Sequence, residues 1–361
     1  MKEQLAYFRK RESDGSSSIR ELKRRGKPIY IYGMGTTARR VERRLAENGI
    51  DICGFFADPE FCMGLDQETE EGIPIVSFDD VMELPEADVV IGFYQFGLAY
   101  SKISEGKILN QGEVYFINPE TLFDYAYYLE NREAFEQTYD WLADDMSRET
   151  MRAYMDGRMN GVMRPLSDCY VPNQYFIPEV HLASHEVYID CGMFDGDTVV
   201  EFMGRCPDYD RIIGFEPDEE NVLKFRERNL PMERMDIYPT GVWSTETVLR
   251  FSAEGTTASR IAESGEIPLS VKSIDSLDLD QNVTLIKMDI EGSELEALKG
   301  ARETIHRDLP KLAICVYHKK EDLITIPQYI RSLESKDRHY RFYLRHHSLC
   351  DHETVLYAIP I

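Results

Sequence analysis

Apolar positions along this chain alternate between short continuous runs and stretches at helical spacing. Pro28-Ile-Tyr-Ile-Tyr32 is a buried-type run ending at a glycine, and Ala38, Val41 and Leu45 then recur at helical spacing. That order predicts strand, turn and helix. Further strand runs lie at 52–57, 73–76, 88–93 and 114–117, with a helical segment at 78–84. Between 120 and 165 no strand pattern is visible, and Phe135, Tyr139, Leu142 and Met146 form one helical stripe expected to face a core. From about residue 170 the alternation resumes. It predicts strands at 187–190, 211–215, 236–239, 285–288 and 312–316, part of a hairpin at 242–251, and helices at 198–203, 219–228 and 323–333. Another helix carries Leu295, Leu298 and Ile305. The last two strands, 341–344 and 354–359, are joined by a polar link too short for a parallel crossover, so they should pair as an antiparallel hairpin.

Regular alternation of strand and helix predicts an α/β protein with parallel sheets. With 361 residues the chain has room for two domains. The expected divisions are a polar N-terminal helical segment (1–26), a Rossmann-like nucleotide-binding domain (27–120), a helical connector (121–169) and a second Rossmann-like domain (170–361). A formal charge of −24 repels phosphate backbones and anionic lipid heads, which argues against a nucleic-acid or membrane-surface binder. Residues 1–26 have no apolar core of the secretory type, and no apolar run approaches the length of a membrane span, so a cytoplasmic protein is expected. The seven cysteines are widely spaced and form no C-x-x-C pair, which disfavours a disulfide framework or zinc knuckle.

The informative segment is Asp190-Cys-Gly192-Met-Phe-Asp-Gly196-Asp197-Thr198, between a strand and a helix. A glycine at a strand end permits a sharp turn, and a second one permits close approach of a ligand to the helix N-terminus. Glu216 ends the next strand, in Gly214-Phe-Glu-Pro-Asp218, where a carboxylate can accept two hydrogen bonds from a ribose diol. Together these predict an adenosine-containing ligand. Asp195 and Asp197 beside the loop are unsuited to a pyrophosphate and compatible with a ligand carrying an ammonium group and a sulfonium.

Tyr188-Ile-Asp-Cys-Gly192, Gly196-Asp-Thr198, Gly214-Phe-Glu-Pro217, Ser273-Ile-Asp-Ser-Leu277 and Ile286-Lys-Met-Asp-Ile-Glu-Gly292 resemble the FkbM family of S-adenosylmethionine-dependent methyltransferases, over roughly 170–361. One departure is Met193-Phe194, where the family commonly has Ala-Asn. The resemblance implies a class I methyltransferase sheet with a terminal antiparallel hairpin and S-adenosylmethionine as cofactor. It implies O-methylation of a glycan or secondary-metabolite hydroxyl. Expected cofactor contacts are Asp190, Gly192, Gly196, Asp197, Thr198, Glu216 and Asp289; expected catalytic groups are Asp289, Glu291 and His318, with His318 a base or hydrogen-bond partner of the acceptor. A metal is not expected, because Asp289, Glu291 and His318 are not spaced as a diagnostic metal signature. Lys287 should pair with a nearby carboxylate. His346-His347 lie near the closing hairpin, where alternation turns only one inward and a solvated position is expected. The polar loop Thr256-Thr-Ala-Ser259, with Arg260, could cover a substrate.

Gly33-Met-Gly35-Thr-Thr-Ala38, with Asp58 after the next strand, matches a G-x-G-x-x-A fingerprint. It makes a nucleotide or nucleotide-sugar a candidate partner of the first domain. No Tyr-x-x-x-Lys follows to complete a dehydrogenase. The competing readings are an NAD-dependent oxidoreductase using this loop, and a non-catalytic nucleotide-sensing or assembly module.

Overall fold

The structure, a computed structural model, describes residues 18–59, 68–69, 72–84, 86–92, 114–116, 125–160, 164–252, 260–261, 267–349 and 352–361. The chain forms two compact units. One comprises Met1–Arg132, Glu149–Tyr170 and Ser348–Asp351, the other Glu133–Arg148, Val171–His347 and His352–Ile361. The stretch expected as a connector is thus divided between them.

The first unit opens with α1 (Ser18–Arg25), whose Arg25 guanidinium donates to both Asp88 carboxylate oxygens at 3.0 and 2.9 Å. It continues through β1 (Ile29–Tyr32), α2 (Thr36–Glu47), β2 (Gly54–Ala57), β3 (Ile75–Ser77), α3 (Phe78–Met82), β4 (Asp88–Ile91) and β5 (Val114–Phe116). The strands pair in the order β3-β2-β1-β4-β5, all parallel. Side-chain alternation along β1 serves two cores, as expected for a sheet covered on both faces. Ile29 and Ile31 join Ala38, Val41 and Leu45 of α2 on one side, and Tyr32 joins Phe56, Val81 and Ile91 on the other.

Four helices follow: α4 (Tyr125–Glu130), α5 (Arg132–Trp141), α6 (Asp145–Asn160) and α7 (Arg164–Ser167). The expected single stripe breaks at Asp144. Its carboxylate accepts the Ser147 backbone N–H at 2.8 Å and the Ser147 hydroxyl at 2.6 Å, so it caps a new helix. Phe135, Tyr139 and Leu142 are buried as expected, whereas Met146, in the first turn of α6, is exposed.

The second unit contains β6 (Val187–Cys191), α8 (Asp197–Arg205), β7 (Arg211–Phe215), α9 (Glu219–Glu227) and β8 (Met235–Tyr238). A smaller sheet comes next, with β9 (Gly241–Val242), β10 (Thr247–Ser252), β11 (Arg260–Ile261) and β12 (Ile267–Lys272) in the order β11-β10-β12-β9. The stretch 242–251, expected as part of a hairpin, divides here. Val242 belongs to β9, and β10 finds antiparallel partners in β11 and β12. The chain then runs through β13 (Leu285–Met288), α10 (Glu294–Lys299), α11 (Arg302–Asp308), β14 (Lys311–Cys315), α12 (Asp322–Ser332), β15 (Tyr340–His346) and β16 (Thr354–Pro360). The main sheet has the order β15-β16-β14-β13-β6-β7-β8. All its strands are parallel except β16, which lies antiparallel between β14 and β15 and realises the expected closing hairpin. β6 is central and wholly buried, which is why Val187-Tyr-Ile189 reads as an apolar run.

Candidate active site

In open α/β sheets ligands collect at the carboxyl ends of the strands. In the second unit a cavity of about 680 Å3 lies there, walled by residues just beyond β6, β7, β13 and β14, with Gln174 and Tyr175 from the segment before β6 and Glu353 from the entry to β16.

The turn after β6 is shaped by its glycines, although not in the way expected. Gly192 has φ +79°, and a Cβ there would stand 1.9 Å from the Asp289 carbonyl oxygen. Gly196 has φ +84°, and a Cβ there would stand 2.2 Å from the Phe225 ring. Gly192 reaches the cavity wall and Gly196 does not; Gly196 packs the turn against α9. The residues after it, Asp197 and Thr198, do line the cavity. Met193 is buried, its Sδ so near Gly214 that a Cβ there would meet it at 2.5 Å, and Phe194 is exposed. The departure from Ala-Asn thus puts a larger core side chain in place of Ala and an exposed ring on the cavity wall in place of the amide.

Glu216 also lines the cavity. Its Oε2 accepts the Phe194 N–H at 3.0 Å and its Oε1 accepts the Asp218 N–H at 2.9 Å. Two backbone donors fix the carboxylate while leaving a second lone pair on each oxygen. Burial raises its pKa against the lowering effect of those donors.

Asp190 is corrected. It is fully buried and absent from the cavity wall. Its register partner on β13 is Lys287, so both side chains leave the same face of adjacent strands, and they form an ion pair of 3.0 Å. Lys287 Nζ also donates to the Gly192 carbonyl at 2.6 Å, tying the turn to the sheet. Burial acts to lower the lysine's pKa, but Asp190 and Asp289 prevail and raise it.

The opposite end of the cavity is acidic and aromatic. Asp289 Oδ2 accepts the Tyr175 hydroxyl at 2.7 Å, and the Tyr317 hydroxyl lies 3.3 Å from both Asp289 Oδ1 and Glu353 Oε1. Gln174 holds the other oxygen of Glu353. His318 is buried beside them, with Nε2 3.5 Å from Asp289 Oδ1 and 3.7 Å from Glu291 Oε2, and Nδ1 2.9 Å from Glu294 Oε1. The two acids on Tyr317 are pushed apart. Burial drives the Asp289 pKa up, but Lys287 and His318 outweigh it and hold the group low; burial and Asp289 raise Glu353. Glu291 is likewise raised by burial, and Glu294, Asp289 and Glu291 lift His318 to about 9 against the effect of its burial. His318 is therefore mostly imidazolium at neutral pH, which suits a hydrogen-bond donor and not a base.

Asp289, Glu291 and His318 thus lie together, the first two on the cavity wall and His318 behind it, while Gln174, Tyr175, Tyr317 and Glu353 went unread. Tyr317 neighbours His318 on one strand end, and Glu353 sits in the polar link of the closing hairpin, so both had a positional signal. Tyr175 lies in irregular chain before β6 and had none. His346 and His347 belong to the interior instead of solvent. His346 is buried with Nδ1 2.9 Å from the Thr354 hydroxyl, and His347 lies between the Val171 carbonyl and the Tyr357 hydroxyl, 2.8 Å from each. Thr256–Ser259 lie outside the described residues. In the first unit Gly33 and Gly35 form the expected turn between β1 and α2, Gly35 being the helix N-cap with open space where a Cβ would stand. Asp58, just after β2, accepts the Tyr32 hydroxyl at 3.0 Å.

Among solved structures the chain is similar to a methyltransferase FkbM from Methylobacillus flagellatus KT, at 24% identity over 98% of this chain and 97% of that one, with a TM-score of 0.72. An rRNA methylase of Streptococcus thermophilus is 15% identical over 49% of this chain and 87% of its own, with a TM-score of 0.32. No curated protein sequence matches. Residues 190–347, which run from Asp190 on β6 to His347 just after β15, match the family model of the methyltransferase FkbM domain. That match lies within the second unit, whose sheet has the class I methyltransferase order and carries the cavity described above.

Proposed function

We propose that the second unit binds S-adenosylmethionine and catalyses methyl transfer to an oxygen of a hydroxylated acceptor, a glycan or another secondary metabolite. The observation that carries this reading is the Glu216 carboxylate, fixed in the cavity wall by two backbone amides at the end of β7. Such a group fits a ribose diol. When bound, S-adenosylmethionine supplies a methyl group on a positively charged sulfur that departs as a neutral thioether. The acidic cavity favours that positive charge. At the far end, the Asp289–Tyr317–Glu353 cluster presents acceptors and a donor to a hydroxyl, while His318, buried behind it and not among the residues that line the cavity, helps to hold Asp289 ionised. Asp289, kept ionised and occupied by two tyrosines, orients it. Glu353, whose pKa is raised, takes the hydroxyl proton as the oxygen becomes the nucleophile.

Calorimetry with S-adenosylhomocysteine tests the cofactor half. Wild-type protein should bind in the micromolar range, and Glu216→Ala should lose about 1–3 kcal/mol through removal of a charged acceptor. Equal affinity in the two proteins would remove the ribose assignment.

A further inference from the structure

We infer that Gln174 and Tyr175, in the segment before β6, are positioning residues for the acceptor's proton. They close a circuit of hydrogen bonds, Glu353–Gln174–Tyr175–Asp289–Tyr317, that fixes Glu353 as the base and Asp289 as its ionised anchor. The inference rests on the reading of Glu353 given above. In the step served, the acceptor oxygen takes the methyl group from the sulfonium, which becomes a thioether, and passes its proton to Glu353.

The number of hydrogens on each group assigns the roles. Gln174 Nε2 carries two, donating one to Glu353 and the other to the Tyr175 hydroxyl oxygen at 2.9 Å. Tyr175 directs its single hydroxyl hydrogen to Asp289 Oδ2 at 2.7 Å. The Tyr317 hydroxyl also has one hydrogen, with a carboxylate oxygen at 3.3 Å on either side, so it serves one acid at a time. Asp289 thus always keeps a hydroxyl donor and has Lys287 and His318 as nearby cations. The constant donor to Glu353 is a neutral amide. Donors and cations favour the ionised carboxylate, so the imbalance keeps Asp289 charged and leaves Glu353 able to take up a proton.

Backbone conformation supports the same assignment. Among the described residues nine non-glycine positions have φ in the left-handed region, and four of them line the cavity: Tyr175 at +68°, Phe194 at +50°, Glu291 at +54° and Glu353 at +61°. Such strain collects at functional sites and persists where the surroundings over-determine it. Tyr175 is held from three sides. Its N–H donates to the Tyr357 hydroxyl of β16 at 2.9 Å, its own hydroxyl sits in the circuit, and Lys287 Nζ stands 5.1 Å from its ring centroid. His347 braces Tyr357 and the Val171 carbonyl behind it. Packing alone would need neither the Gln174 amide nor the Tyr175 hydroxyl.

The circuit is tested on the full chain by 13C NMR with tyrosine labelled at Cζ, the Tyr317 resonance being identified by its loss in Tyr317→Phe. Burial raises the Tyr317 phenol far above neutrality, so between about pH 4 and 8 its resonance reports neighbouring charge. The groups facing Glu353 are Asp289, Tyr317, Gln174, His352 and His318, and a step that survives in Glu353→Gln belongs to a histidine. Wild type should show a Glu353-dependent step above the usual carboxylate range. Because the Gln174 donor favours the ionised form, Gln174→Leu should move that midpoint up by about half a pH unit or more. Tyr175→Phe, which keeps the ring but removes the oxygen on which Gln174 rests, should move it the same way. A midpoint unmoved or lowered in Gln174→Leu, or no Glu353-dependent step in wild type, overturns the inference; should Gln174→Leu fail to fold, Tyr175→Phe decides in its place. The measurement uses no cofactor, so its failure and a failed S-adenosylhomocysteine titration are separate outcomes.

Discussion

Lys287 is 2% exposed and Asp190 fully buried, so each is the other's reason for being charged in the interior. Lys287→Ala should cost about 3–5 kcal/mol in urea denaturation, because it strands a buried carboxylate; a loss under about 1 kcal/mol would mean that water or a proton already compensates Asp190. At Gly196 the left-handed φ and the Phe225 ring both oppose a side chain. Gly196→Ala should lose roughly 1–3 kcal/mol of stability, and a melting temperature equal to wild type would contradict that packing. At Glu353 the expected effect is on chemistry. Glu353→Gln should keep S-adenosylhomocysteine affinity while slowing turnover of a methylated acceptor about 100-fold, and unchanged turnover would exclude it as the proton acceptor. Residue types were legible here before their reasons. Asp190 reads as a strand-end ligand until the register sets it against Lys287, and a register between distant strands leaves no local mark. The glycine at 196 was visible in the sequence, whereas the ring from α9 that demands it was not.

Strands and helices with strong periodicity were readable because burial alone dictates them: β1 is an apolar run, as is β14 after Lys311, and β6 and β13 are apolar but for the paired Asp190 and Lys287. Breaks were less readable, because a cap competes with periodicity on a scale of one or two residues. Asp144 is the example, ending one helical stripe and starting α6. The same carboxylate binds the Arg345 guanidinium of β15 at 2.7 Å, with Glu179 on the same nitrogen at 2.5 Å. Burial acts to raise the Asp144 pKa from 3.8, yet hydrogen bonds from Arg345 and Ser147 hold it at about 2. A depressed carboxylate contributes stability above its unfolded pKa and loses it as pH falls through the folded one. Asp144→Ala should therefore be clearly less stable than wild type at pH 6, and the gap should shrink between pH 4 and 2. A constant difference across that window would show that the cap and the ion pair are not the cause.

The second unit is assembled from three separate stretches of chain, and its N-terminal stretch, Glu133–Arg148, brings Asp144 and Ser147 to Leu344 and Arg345. A sequence reading that begins the domain near residue 170 omits this piece, because helices without strands resemble a linker. A fragment starting at Val171 should consequently unfold at lower urea concentration than one starting at Glu133, and equal midpoints would make the 133–148 stretch dispensable. Deep in the same unit, burial lowers His347 to about 4 from 6.5, with its ring between Val171 and Tyr357. Its contribution to stability is complete above pH 6.5 and declines as pH falls through 4. Proton NMR should find this imidazole neutral at pH 5.5, and a titration near 6.5 would place it in water.

β16 runs against its neighbours and occupies an inner position in the sheet, and this reversal carries Glu353 to the rim where the parallel strands end. In chain order the end of the cavity that holds Glu216 is made first, and the end that holds Glu353 is finished only when β16 enters between β14 and β15.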